Sequence, residues 1–352
     1  MAGLIDRLAE GRAQIAVFRG TPGLGDLLCA VPSWRALRAA LPAAHVTLVA
    51  QPWTASLRPR FGAYLDDHLP FGGFPGLPDA GQDVRESLRC IALAQERRFD
   101  LVIQQHGSGI TSNVVAALLG GTRTAGFTTT GAHVPDPEHF LLYPQREHEI
   151  HRHLRLLEFL GAPSSGDALE FPLDDADRSG AADVIDPAEP YAVLHPGAKD
   201  PARRWPPECF AAAGRALAER GLRVVITGTG AERPLCNAVA TQLGSHAVVA
   251  AGRTGIGELG ALVDGAAIVL TNDTGTSHLA VARGTPSVVV VPPGLAPTWL
   301  PLDRSRHPVV AGRSGPVGPG AVIDVATTLL DGTPTGSPAA AGVFVPEGPG
   351  EA

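Results

Sequence analysis

Strand-like and helix-like segments alternate through both halves of these 352 residues. A glycine-rich turn follows the first apolar run, and a stretch rich in Pro, Asp, Ser and Gly separates the two alternating halves. Together these observations predict an α/β protein of two Rossmann-like, doubly wound domains, because alternating strands and helices build a parallel sheet covered on both faces. The boundaries expected are residues 1–165 for the N-terminal domain, 166–189 for a linker and 190–330 for the C-terminal domain. Residues 331–352, dominated by Gly, Pro, Ala and Thr, are expected to be a disordered tail.

The first half opens on the apolar run Ile15–Arg19, read as a strand. After the turn carrying Gly20, Gly23 and Gly25, apolar residues at helical spacing run from Leu27 to Leu41, with Pro32 inside them as a kink or as the first residue of a late-starting helix. Strands are expected at Val46–Ala50, Leu101–Gln104 and Arg123–Phe127, and helices near Val84–Arg97 and Thr111–Leu119. His148–Leu160 reads as an amphipathic helix ended by Gly161 and Pro163. The second half gives strands at Tyr191–His195, Leu222–Thr227, Ala247–Ala250, Ala267–Thr271 and Ser287–Val291, joined by short helices. Two such sheets place a cleft between their carboxyl edges, where open α/β sheets bind ligands.

Composition narrows the function. Hydrophobic residues make up 44% and charged residues 18%, and the formal charge is -7, so nucleic acid is not an expected partner. The four cysteines lie far apart with no C-x-x-C pair, which predicts core residues and neither a zinc site nor a disulfide framework. The N-terminus lacks the apolar stretch of a signal peptide, and the apolar run at Ser287–Val291 stops at Pro292, so a cytoplasmic protein is expected. Lys199 is the only lysine, a bias that suggests coding from GC-rich DNA.

Four loops carry the candidate chemistry. In Arg19–Asp26 (RGTPGLGD) the glycines, Gly23 and Gly25 among them, allow a ligand to approach the backbone, and Asp26 stands at a helix opening; an N-cap role reads equally well. The pattern is not G-x-G-x-x-G, which disfavours a nicotinamide enzyme. In His195–Pro206 the cations Lys199, Arg203 and Arg204 suit a diphosphate, with Trp205 packed to hold them; a solvated basic loop is the alternative. In Asn272–Ala280 the helix start, the hydroxyls of Thr274, Thr276 and Ser277, and His278 favour a phosphate; capping by Asp273 or Thr274 and a packing histidine are the alternatives. Glu232, after Gly228-Thr229-Gly230-Ala231, suits ribose hydroxyls or serves as a first-turn glutamate. His148, His151 and His153 lack metal-ligand spacing and read as solvent-facing.

These loops, in this order, resemble glycosyltransferase family 9, the ADP-heptose:lipopolysaccharide heptosyltransferase group. The segments that carry the resemblance are Gly23–Pro42, His195–Leu217, Gly228–Glu232 and Ala251–Pro286, with DTG-x-x-HLA and RW-P-x-E-x-F the more specific motifs. The resemblance implies a GT-B fold and an inverting transfer that needs neither metal nor other cofactor, with an ADP-sugar held by the C-terminal domain. It places the catalytic base on Asp26, phosphate contacts on Arg203, Asp273, Thr274 and Gly275, and a ribose contact on Glu232. Arg203 stands where the family usually has lysine. The acceptor implied is a hydroxyl of a glycolipid core, with which a peripheral membrane association is compatible; the GC-rich coding leaves room for a small-molecule acceptor such as a secondary metabolite instead. Two alternatives share the scaffold: a sugar-nucleotide 2-epimerase and a catalytically silent nucleotide-sugar binding protein.

Overall fold

The computed structural model describes residues 3–21, 23–77, 83–292, 297–312, 315 and 317–332. The chain divides into two compact units, Met1–Pro172 and Leu173–Ala352. The first holds helix α1 (Leu4–Leu8), strand β1 (Gln14–Arg19), α2 (Leu24–Ala40), β2 (His45–Ala50), β3 (Asp67–Pro70), α3 (Val84–Arg97), β4 (Leu101–Gln104), α4 (Ser112–Leu118), β5 (Arg123–Thr128), β6 (Phe140–Leu142) and α5 (Glu149–Leu160). Its strands lie in the order β3-β2-β1-β4-β5-β6, with every pair parallel.

The second unit holds α6 (Asp175–Ala182), β7 (Tyr191–His195), α7 (Pro207–Glu219), β8 (Arg223–Ile226), α8 (Arg233–Leu243), β9 (Ala247–Val249), α9 (Ile256–Asp264), β10 (Ile268–Asn272), α10 (Gly275–Arg283), β11 (Ser287–Val291), β12 (Val309–Ala311) and α11 (Pro319–Leu330). Its order is β12-β11-β10-β7-β8-β9, again all parallel. Read from the other end, this is the same 3-2-1-4-5-6 arrangement as in the first unit. The two-domain Rossmann-like architecture expected from the alternation is therefore present.

The central strands are buried almost end to end because helices cover both faces. All five residues from Ile15 to Arg19 are buried, as are all five of β10 and of β11. The core of the second unit gathers Leu194, Trp205, Phe210, Val224, Ile226, Leu270 and Val290 with the inner faces of α7, α8 and α11. In the first unit, Phe18, Phe71, Phe99 and Val102 pack with Cys90 and Ile91 of α3 and Val115 of α4. Cys29, Cys90 and Cys236 are buried, and Cys209 is partly buried.

Three strands escaped the sequence reading. β3, β6 and β12 are three or four residues long and lie at or next to sheet edges, and β3 ends in proline, so none shows a clear apolar period. Pro32 lies inside a continuous α2, not at its start. Residues 175–182, within the stretch read as a linker, form α6, closed by a reciprocal Asp174–Asp177 capping box and packed on α9. The expected tail lies outside the described residues from 333 onward. Among the described residues, no helix is long and apolar enough to cross a membrane.

Candidate active site

In each sheet the strand order reverses beside the first strand of the unit, at β1/β4 and at β7/β10, and ligands bind at such a switch point. In the second unit, the β7 loop is stapled to the end of β10 by Asn272, which is completely buried. The Asn272 amide donates to the carbonyls of Pro196 (2.9 Å) and Gly197 (3.1 Å) and accepts from the Trp205 main-chain N–H (2.9 Å). Trp205 is itself anchored, edge-on to Phe210 at 4.9 Å and donating its indole N–H to the Val317 carbonyl at 2.7 Å. The loop is therefore packed at its C-terminal end, and the cations before Trp205 project from a fixed base.

Arg203 turns toward β10. Its guanidinium donates to the Asp273 main-chain carbonyl at 2.6 Å and also binds the Asp273 carboxylate. Arg204 folds back onto the Ala198 carbonyl (2.9 and 2.7 Å), while Lys199 is exposed at the loop tip. Asp273 is 4% exposed. Burial raises its carboxyl above the usual range, and the Arg203 and Arg304 charges offset this only in part. Thr274, not Asp273, is the N-cap of α10, and its side chain makes no capping hydrogen bond. Thr276, Ser277 and His278 are buried in the first turn. Burial, reinforced by the Arg203 charge, pushes His278 down to about 4, so the ring is neutral near pH 7.

Glu232 closes a capping box with Thr229, accepting its N–H at 2.8 Å and its hydroxyl at 2.9 Å. Burial opposes ionisation of this carboxyl, but the Thr229 bonds and the neighbouring His195 and Arg204 outweigh it and hold it below its usual range. A side chain at Gly197 would overlap the Glu232 carboxylate, so these two loops meet closely. The candidate donor residues Lys199, Arg203, Arg204, Glu232, Asp273, Thr274, Gly275, Thr276 and His278 thus all lie on three strand-exit loops of one sheet. Sequence reasoning missed Asn272 as their organiser and Arg304, whose buried Nη1 has no hydrogen-bond partner among the described residues and whose charge is felt by Asp273.

In the first unit Gly23 is the N-cap of α2, and Asp26 stands three residues further on, in the first turn; the N-cap reading of Asp26 does not hold. A side chain at Gly23 would overlap the Asp26 carboxylate, and Gly25 is buried. Asp26 keeps 27% of its side chain exposed, at the β1 exit. Beneath it lies a charged cluster that the sequence did not announce. Arg19, 1% exposed, donates from Nε to the Asp26 carbonyl (2.7 Å), from Nη1 to the Gln105 carbonyl and from Nη2 to Glu149 (3.1 Å). Glu149 also accepts from Arg152 at 2.7 Å and lies 3.2 Å from His153.

This cluster corrects the reading of the three histidines as solvent-facing. His148 is the N-cap of α5 and accepts from the Ile150 N–H, whereas His151 is exposed and pairs with Asp167. His153 is buried, because helical spacing puts it on the inner stripe with Glu149, Leu156 and Leu160. Among the described residues, no group of three His, Cys, Asp or Glu side chains could hold a metal ion.

The family model described as glycosyltransferase family 9 (heptosyltransferase) matches residues 90–306, more than half of the chain. The chain belongs to this family. The matched stretch of this family 9 chain contains the three strand-exit loops of the second unit described above and begins after Asp26. Lipopolysaccharide heptosyltransferase 1 of Pseudomonas aeruginosa is 28% identical over 210 residues, 56% of each protein, so the chain aligns with about half the length of that relative. Among solved structures, a family 9 glycosyl transferase from Veillonella parvula superposes with a TM-score of 0.77 at 20% identity, covering 91% of this chain and 98% of that one. A heptosyltransferase of E. coli solved with ADP gives 0.68 at 19%, covering 90% and 97%. At these identities the structural likeness establishes the fold, α/β of GT-B type.

Proposed function

We propose that the protein transfers a heptose, or a related sugar, from an ADP-sugar to a hydroxyl of a glycolipid core or small-molecule acceptor, with inversion and without a metal ion. The observation that carries this reading is the pairing of Arg203 with Asp273 at the α10 N-terminus, beside the β7/β10 switch point, on a loop that also carries Lys199 and Arg204. There the cations and first-turn amides meet the charge that develops on a leaving diphosphate, which is the role a divalent ion plays elsewhere. Glu232 takes the ribose hydroxyls. Family membership and the E. coli relative solved with ADP support adenine as the base.

On this reading Asp26 accepts the proton of the acceptor hydroxyl as the new bond to the anomeric carbon forms. General base catalysis of this kind contributes roughly 10²–10⁴ in rate. The position at the start of α2 favours the ionised carboxylate, which readies it to accept a proton and also weakens it as a base. Its value then lies partly in orienting the acceptor.

Calorimetric titration with ADP, UDP and GDP, with no metal added, tests the donor assignment. Selective ADP binding supports it. A preference for UDP, with isomerisation of the donor and no acceptor needed, would replace it with the epimerase reading. No nucleotide binding at all would leave a silent scaffold.

A further inference from the structure

The buried cluster under Asp26 has a geometry that a purely structural ion pair would not need. Arg19 commits three of its nitrogens to three different elements: the first turn of α2 through the Asp26 carbonyl, the β4 exit through the Gln105 carbonyl, and α5 through Glu149. The guanidinium passes 3.8 Å from the Asp26 carboxylate, yet its shorter contact, 3.1 Å, is to Glu149. Both ions of the Arg19–Glu149 pair are at least 95% buried, where a well-packed apolar pair of the same volume would usually serve stability as well or better.

We infer that Arg19 and Glu149 are positioning residues for Asp26: Arg19 fixes the first turn of α2, and Glu149 draws the guanidinium away from the Asp26 carboxylate. The inference rests on the reading of Asp26 as the base. A guanidinium free to turn would close a bidentate bridge onto Asp26, which would hold it ionised and leave it a poor proton acceptor. Glu149 competes for the same Nη2 and prevents this. Burial opposes the charge on Glu149, but His153, Arg19 and Arg152 outweigh it and hold the carboxyl far below its usual range. Around the Arg19–Glu149 pair stand Arg152 and His153 on α5, both on the Glu149 carboxylate, and Tyr143 before α5, whose hydroxyl accepts from Arg152; His106 after β4 stacks on Phe18, the residue before Arg19. Arg19 brings its positive charge within 3.8 Å of the Asp26 carboxylate.

The two residues therefore act on Asp26 with opposite sign, and this separates positioning from packing. The test follows carbodiimide labelling of Asp26 against pH by peptide mass spectrometry, which reports carboxyl protonation and needs no acceptor. Turnover of ADP-heptose with a deacylated, heptose-free lipopolysaccharide core is measured beside it. Arg19→Met should move half-labelling to higher pH by about one unit or more, and Glu149→Gln should move it lower. Both should lower kcat about tenfold or more while ADP affinity holds, since small misplacements of a reacting group cost that much. The double variant Arg19→Met with Glu149→Gln removes both buried charges, keeps an acceptor for Arg152, and guards against loss of folding in either single variant. It should melt near the parent protein and still turn over slowly. Unchanged labelling and kcat in folded variants would overturn the inference while leaving Asp26 as base, and so would shifts of the same sign in both single variants. Full turnover by Asp26→Ala would overturn the base assignment itself.

Discussion

Arg203 and Asp273, seventy residues apart, are bound to each other twice, guanidinium to carbonyl and guanidinium to carboxylate. The cation that the sequence offers to a phosphate is thus held by the loop that offers the helix N-terminus. The pair brings the point charge and the amides to one place before any ligand arrives. Replacing Arg203 with Ala should weaken ADP binding by about 1.5–3 kcal/mol, roughly ten- to a hundredfold or more in Kd, the range for a hydrogen bond to a charged group. Calorimetry reads this directly, and an unchanged Kd would remove Arg203 from the donor site. Arg203→Lys should recover part of the loss, since an ammonium keeps the charge but not the fork.

Asp26→Ala should leave ADP affinity as it is and lower kcat by about 10²–10⁴. The split between binding and turnover is the diagnostic. An equal loss of ADP binding would show that Asp26 supports the fold or the donor, not the proton transfer.

Asn272→Ala removes the staple between two loops. The Trp205 N–H and the Pro196 and Gly197 carbonyls lose their buried partner, at a cost of about 2–4 kcal/mol in stability. Chemical denaturation measures the loss. ADP affinity should fall with it, because Arg203 and Arg204 ride on the same loop; a variant that is destabilised but binds ADP normally would show that the loop is set by Trp205 alone.

Acid should destabilise the protein well above the carboxylate range. Burial holds His153, His195, His278 and His307 at about 4, against an ordinary value of 6.5. Between those values the unfolded chain binds protons that the folded chain refuses, so stability rises with pH from about 4 to 6.5 and is lost as pH falls through that window. Each histidine contributes roughly 2 kcal/mol to the loss between pH 7 and pH 5. Urea unfolding at the two pH values checks this, and equal midpoints would show that these rings are protonated in the folded state.

Much of this was legible in the residues. Continuous apolar runs such as Ile268–Leu270, followed within two residues by an Asn-Asp-Thr-Gly turn and a helical stripe, specify buried parallel strands and their exits by local rules alone. The candidate phosphate loops could be located for the same reason, since cations and hydroxyls stand beside the strand ends that present them. What stayed hidden depends on distant partners. Arg19 reads as the polar end of a strand until Glu149, 130 residues later, arrives beside it. His153 looks like one histidine among three until the phase of α5 is known. Asn272 sits at the head of a motif whose other members draw the eye, and its staple joins it to residues 67 to 76 positions away. Edge strands such as Val309–Ala311 carry too few residues to display a period at all.

The repeated 3-2-1-4-5-6 order has a consequence for how such a chain can diversify. Each half is a complete wound sheet with its own exit after its first strand, and on the reading proposed the first exit handles the recipient and the second handles the activated sugar. Drift in one half then leaves the chemistry of the other intact. Acceptor choice and donor choice become separable traits, so a lineage can keep the sugar it spends while trying out new molecules to receive it.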